Sequence, residues 1–152
     1  MNTNKIPNKP LSCILLVDDD EATNFLHSLI IKRSGIEAHT QVTYNGEEAL
    51  EYLCSKGRYA GNAPSFPQPG IILLDINMPN MNGWEFLEAY HQLPEEQKAD
   101  IVIAMLTTSI NPDDELRAND QAELSGFLKK PLTIEKIQAL VNQYWPGLLV
   151  NK

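Results

Sequence analysis

The chain has 152 residues, 43% hydrophobic and 21% charged, which suits one globular domain with an adequate core. A formal net charge of −8 and the lack of any Lys/Arg run argue against non-specific nucleic-acid binding and disfavour an anionic membrane surface, leaving room only for a local basic patch. No apolar run approaches the ~20 residues of a membrane helix, and the polar first ten residues lack a leader's apolar core, so a cytoplasmic location is expected.

Residues 1–10 read as a flexible lead-in, 11–146 as the folded domain and 147–152 as a short tail. The run Cys13–Val17 is a strand, and a helix follows over about 21–34, with Phe25, Leu26, Leu29 and Ile30 at helical spacing and Gly35 as its stop. An edge strand is expected at roughly 37–42. Asn45-Gly46 then turns the chain into a helix over 46–56, with Ala49, Leu50 and Leu53 facing inward. Three prolines and three glycines exclude helix or strand from 57–70. That stretch is long for an α/β connection and is either a surface insertion or a partner-contact loop.

Ile71–Leu74 is a buried strand delivering Asp75, and a helix over 83–92 carries Trp84, Phe86, Leu87 and Tyr90. A strand over 101–106 ends at Thr107. Asn111-Pro112-Asp113-Asp114 opens a helix to about 122. A short strand over 126–128 ends at Lys129-Lys130-Pro131. A Thr133-capped helix then runs to 144, with Ile134, Ile137, Leu140, Val141 and Tyr144 on one face. Five strands alternating with five helices imply an α/β fold, a doubly wound (βα)5 with a parallel sheet in the flavodoxin-like order 2-1-3-4-5. Nothing but the short tail follows the last helix, so no output domain is expected. Cys13 and Cys54 form no CxxC pair and read as buried or partly buried thiols.

Chemistry gathers where strands end. Asp18 and Asp19 follow the first strand, Asp75 ends the third, Thr107 the fourth, and Lys130 follows the fifth. In open α/β sheets that carboxyl edge is where ligands bind. Asp18 to Glu21 alone reads as a helix-start cluster favoured by the helix dipole, and Asp20 has the best claim to being only a cap. With Asp75 on a neighbouring strand, a Mg²⁺ site is the better reading, because Mg²⁺ takes one or two carboxylates and keeps several waters. Asp75 is then open to two roles, metal ligand and phosphoryl-accepting nucleophile, with the Lys130 ammonium and Thr107 hydroxyl on the transferred group.

These runs resemble the receiver domain of two-component response regulators, specifically stand-alone, chemotaxis-type regulators. The resemblance rests on Ile14–Asp19, Leu73–Pro79, Met81-Asn82-Gly83, Met105–Ser109 and Gly126–Pro131, in family order, over about residues 11–145. It implies that Asp75 is the phosphoacceptor and not an enzyme's nucleophile in turnover. Asp18, Asp19, Asp75 and the Asn77 main-chain carbonyl would hold Mg²⁺. Thr107 and Lys130 would hold the phosphoryl group, and Lys130–Pro131 would be cis. Thr107 and Phe127 would form a switch, although Phe127 reads equally well as a core aromatic. The implied donor is a sensor histidine kinase or a histidine phosphotransfer protein, and the implied output face joins the fourth helix, fifth strand and fifth helix. No direct DNA or membrane binding is implied. The long 57–70 loop also occurs in receivers paired with bacteriophytochrome-type kinases, and the apolar tail (Leu148, Leu149, Val150) is a candidate homodimer contact.

Three competitors fit less well. A phosphorylation-independent interaction module with a decayed receiver site is not supported, because Asp18, Asp19, Asp75, Thr107 and Lys130 are all present. Phosphatases of the haloacid-dehalogenase type need an acid two positions after the nucleophile, commonly followed by Thr. Asp18–Ala22 has the acid and lacks the Thr, and position 77 is Asn. A flavin carrier of the same fold needs a phosphate loop after the first strand, where acids stand instead.

Overall fold

The computed structural model describes residues 10–60, 67–95, 98, 101–121 and 123–149. Residues 1–9 of the lead-in, the middle of the 57–70 segment and the last three residues of the tail lie outside them. The elements are β1 (Cys13–Val17), α1 (Glu21–Arg33), β2 (His39–Thr43), α2 (Gly46–Cys54), β3 (Ile71–Asp75), α3 (Gly83–His91), β4 (Val102–Thr107), α4 (Pro112–Asn119), β5 (Leu124–Lys129) and α5 (Ile134–Tyr144). All pairings are parallel, in the order β2-β1-β3-β4-β5.

The sheet's centre follows from composition. Every residue of β1, β3 and β4 is buried, as the unbroken Ile/Leu/Val runs require when helices cover both faces. Alternation then divides the core in two. Cys13, Leu15, Val17, Ile72, Leu74, Ile103 and Met105 pack with Tyr52, Leu53, Phe86, Leu87 and Tyr90 of α2 and α3. Ile14, Leu16, Ile71, Leu73, Ala104 and Leu106 pack with Ile31 of α1 and Ile137, Val141 and Tyr144 of α5. Each large side chain in these layers contributes about 1.5–3 kcal/mol relative to exposure. Burial also pushes the Cys13 thiol up to about 11.

Each α-helix among the described residues begins at a side chain that accepts a hydrogen bond from its first turn: Asp20, Asn45, Asn82, Asn111 and Thr133. In α3 the cap is reciprocal. Glu85 N donates to Asn82 Oδ1 at 2.9 Å, and Asn82 N donates to Glu85 Oε1 at 3.0 Å.

Three expectations are corrected. In α1 the inward face is Asn24, His27 and Ile31, whereas Phe25 is 72% and Leu26 44% exposed. The 57–70 stretch is not devoid of helix, because Gly57–Tyr59 forms a 3₁₀ turn. It is fastened to α2 by two tyrosines: Tyr59 OH donates to Glu48 Oε2 at 2.6 Å, and Tyr52 OH donates to the Pro67 carbonyl at 2.6 Å. Finally, β5 is twice as long as the expected 126–128. Its pairing with β4 is irregular between Ile103 and Ala104, which face Leu124 and Gly126, so Ser125 is the extra residue.

Candidate functional site

Register brings the acids together. Val17 of β1 lies opposite Leu74 of β3, so the next residues, Asp18 and Asp75, leave the sheet side by side. Asp75 in turn lies opposite Leu106, one residue before Thr107, and Thr107 lies opposite Lys129. Asp18, Asp75 and Thr107 are all buried, while Asp19 is exposed.

The backbone holds this edge tightly. Asp18 N donates to the Thr43 carbonyl at 3.2 Å, and Asn24 Nδ2 donates to the Asp18 carbonyl at 2.8 Å. Asp18 Oδ1 accepts from Asp20 N at 3.0 Å. Lys130 N donates to the Thr107 carbonyl at 2.6 Å, and the Lys130–Pro131 peptide bond is cis. The Lys130 ammonium then bridges the two buried acids, at 2.9 Å from Asp18 Oδ2 and 3.1 Å from Asp75 Oδ1.

Three carboxylates face one ammonium. Burial raises the Asp75 pKa first, the Asp18 charge adds to the rise, and Lys130 offsets part of it. For Lys130, burial pulls the pKa down, but its bonds and charge contacts with Asp18 and Asp75 outweigh this, and the net shift is upward. The ammonium is therefore secured, and negative charge is left uncompensated. Carboxylate oxygens of Asp18, Asp19 and Asp75 lie within 4.8 Å of one another. Hard oxygen donors of that spacing, with Asp19 open to solvent, fit a small divalent cation that retains waters.

The other expected residues are placed as follows. Asn77 is exposed in the loop after β3. The Thr107 hydroxyl is turned into its own loop: it donates to the Ser109 carbonyl at 2.8 Å and accepts from Ser109 N at 3.3 Å. Phe127 is half-buried and meets Trp84 edge-on, with ring centroids 6.2 Å apart. Beside the acids, a cleft of about 300 Å³ is lined by Asn77, Thr107, Thr108, Ser109, Trp84 and Arg117, among others.

Two neighbours of the site were missed from the sequence, Asn24 and His27. Burial lowers the His27 pKa, with the Lys130 charge acting in the same direction and the Asp18 charge against it. Their spacing with Ile31 (i, i+3, i+7) is the signal that places all three on one helical face.

A family model described as the response regulator receiver domain matches residues 14–142. The match spans most of the chain and agrees with the 2-1-3-4-5 sheet, and the chain belongs to the response regulator receiver family. It is 31% identical over 132 residues to "Response regulator Rcp1" of Synechocystis sp., covering 87% of this chain and 85% of that protein. The crystal structure of a two-component response regulator from Cytophaga hutchinsonii is similar with a TM-score of 0.76 and 30% identity, covering 90% of this chain and 98% of that one. A phosphorylated cyanobacterial phytochrome response regulator, RcpA, is similar with a TM-score of 0.70 and 27% identity, covering 89% of this chain and 94% of that one. Among the described residues no helix is long and apolar enough to cross a membrane.

Proposed function

We propose that this chain is a single-domain regulator, with its receiver over residues 11–146, that accepts a phosphoryl group on Asp75 and changes partner binding as a result. The observation that carries the reading is the Lys130 ammonium within 3.1 Å of Asp75 and 2.9 Å of Asp18, beside a third carboxylate. The donor is a sensor histidine kinase or a histidine phosphotransfer protein, and the chain works in the cytoplasm without contacting DNA or membrane. It is a phosphoacceptor taking part in its own modification, not a turnover enzyme. The phytochrome regulator among its relatives makes a phytochrome-type kinase the first donor to try. The apolar Leu148 and Leu149 are candidates for a homodimer contact.

Asp18, Asp19, Asp75 and the main-chain carbonyl of Asn77 would hold Mg²⁺. Once bound, Mg²⁺ supplies positive charge against the oxygens of the transferred phosphoryl group. The chain's own groups do the rest. An Asp75 carboxylate oxygen attacks phosphorus, the bond to the donor's nitrogen or oxygen breaks, and the electron pair leaves with the donor. Lys130 exchanges its hold on the Asp75 carboxylate for a phosphoryl oxygen. The Thr107 hydroxyl gives up the Ser109 carbonyl to donate to another. Phe127 moves into the space that Thr107 vacates, biasing the face made by α4, β5 and α5.

Intact-mass measurement with Mg²⁺ and a small acyl phosphate tests this. One phosphoryl adduct in the wild type, absent in Asp75→Asn and absent without Mg²⁺, is expected. A folded wild type that stays unmodified while a control receiver is labelled would refute the reading.

A further inference from the structure

α4 is poorly anchored. Of its eight residues only Ala118 is buried, and Leu116 is 68% exposed, whereas α2 and α3 each bury five residues. Arg117 adds a further tie to the body. Its guanidinium carbon lies 4.9 Å from the centroid of the buried Trp84 ring, a cation–π contact. The same indole meets Phe127 on β5 in a near-perpendicular pair, and the backbone partner of Phe127 on β4 is Met105, two residues before Thr107. Trp84 and Arg117 also line both clefts on this side: the one reaching Thr107 and a second of about 280 Å³ lined by Glu88, His91 and Glu123. One ring is thus shared by α4's anchor and by the aromatic side chain of β5.

We propose that Arg117 is a positioning residue that latches α4 in the resting state and, through Trp84 and Phe127, opposes the rearrangement at Thr107. The coupling is reciprocal by thermodynamic necessity. If Phe127 leaves the indole when the switch is thrown, Arg117 loses part of its platform. If Arg117 is removed, the resting state loses a contact and the active state becomes easier to populate. An exposed cation–π contact is worth about a two- to fivefold shift in such an equilibrium. The inference rests on the Asp75 reading only for its link to the site, and the two experiments below separate the two claims.

The first experiment follows hydrogen exchange at the α4 amides in unmodified protein. Arg117→Met, which keeps the stem and loses the charge, should raise exchange there about two- to fivefold and leave the β3 and β4 amides unchanged. Arg117→Lys, which keeps a cation over the ring, should restore much of the protection. The second titrates the non-covalent phosphoryl analogue beryllofluoride in the presence of Mg²⁺. Arg117→Met should bind it more tightly by about the same factor, which a merely structural role at the surface would not produce. Unchanged α4 exchange in Arg117→Met overturns the latch. Faster exchange with unchanged beryllofluoride affinity overturns its coupling to the site. If the wild type binds no beryllofluoride, the Asp75 reading fails, while the exchange comparison still decides whether Arg117 holds α4.

Discussion

Gly83→Ala sets two expectations against each other. Gly83 is the first residue of α3, and its backbone is not in the left-handed region. Propensity therefore favours alanine, by up to ~1 kcal/mol in a helix interior and less at a first turn. Space points the other way. A Cβ on Gly83 would stand 2.8 Å from the Asp75 carbonyl oxygen, 3.0 Å from Ile76 Cα and 3.2 Å from Met105 Cε. The methionine methyl can swing aside. The first two atoms are backbone at the end of β3, in a strand hydrogen-bonded on both sides, and they move only if the phosphoacceptor loop moves. Overpacking of this kind costs about 1–3 kcal/mol, which exceeds the gain in propensity. A net loss of about 1–2 kcal/mol follows, or roughly 3–8 °C in Tm for a chain of this size. Thermal unfolding followed by circular dichroism measures it. An unchanged or raised Tm would show that α3 can back away from β3 freely, and the reasoning from close approach would fail.

Two further outcomes concern charge. Because the folded-state pKa of Asp75 is raised by burial and by Asp18, its ionised carboxylate weakens the metal-free fold at neutral pH, and that penalty shrinks as pH falls toward its ordinary range. Asp75→Asn without divalent cation should therefore be more stable than wild type, by about 1 kcal/mol in urea unfolding, as is usual when a functional charge is removed. A less stable variant would count against the strain. The pKa of His27 is lowered from its ordinary 6.5, chiefly by burial, so its contribution is fully present above pH 6.5 and is lost as pH falls from there through its folded value. His27→Gln should flatten the fall in urea midpoint as pH drops below 6.5, relative to wild type. Parallel curves for the two proteins would exclude His27 as the source.

β1, β3 and β4 were legible because each is an unbroken apolar run that ends abruptly in a polar residue, and those endings also named the acids and Thr107. What pattern could not give was partnership at a distance. α1 looked apolar through Phe25 and Leu26, yet it buries Asn24 and His27, because the Asp18 carbonyl needs the Asn24 amide more than the core needs another leucine. Glu48 would be taken for a surface acid, yet it is buried because Tyr59 and the Tyr44 backbone amide both donate to it. β5 was cut short because Ser125 and Gly126 break an apolar run where the ladder carries its extra residue. Pattern also could not give the present partner of the Thr107 hydroxyl, the Ser109 carbonyl of its own loop.

The five helix caps have a consequence for how such a chain can change over time. All five stand on connections that leave strand ends, so the rim carrying Asp75 is a ring of short, stitched turns in which an added residue would retune every distance. The described ends of the 57–70 segment, 57–60 and 67–70, lie on the opposite rim, where helices return to strands, and both are pinned, one by Tyr59 on Glu48 and the other by the Pro67 carbonyl on Tyr52. Length and chemistry between those ends can drift, or be engineered, while the working rim keeps its dimensions. The fold thus offers one edge for novelty and reserves the other for chemistry.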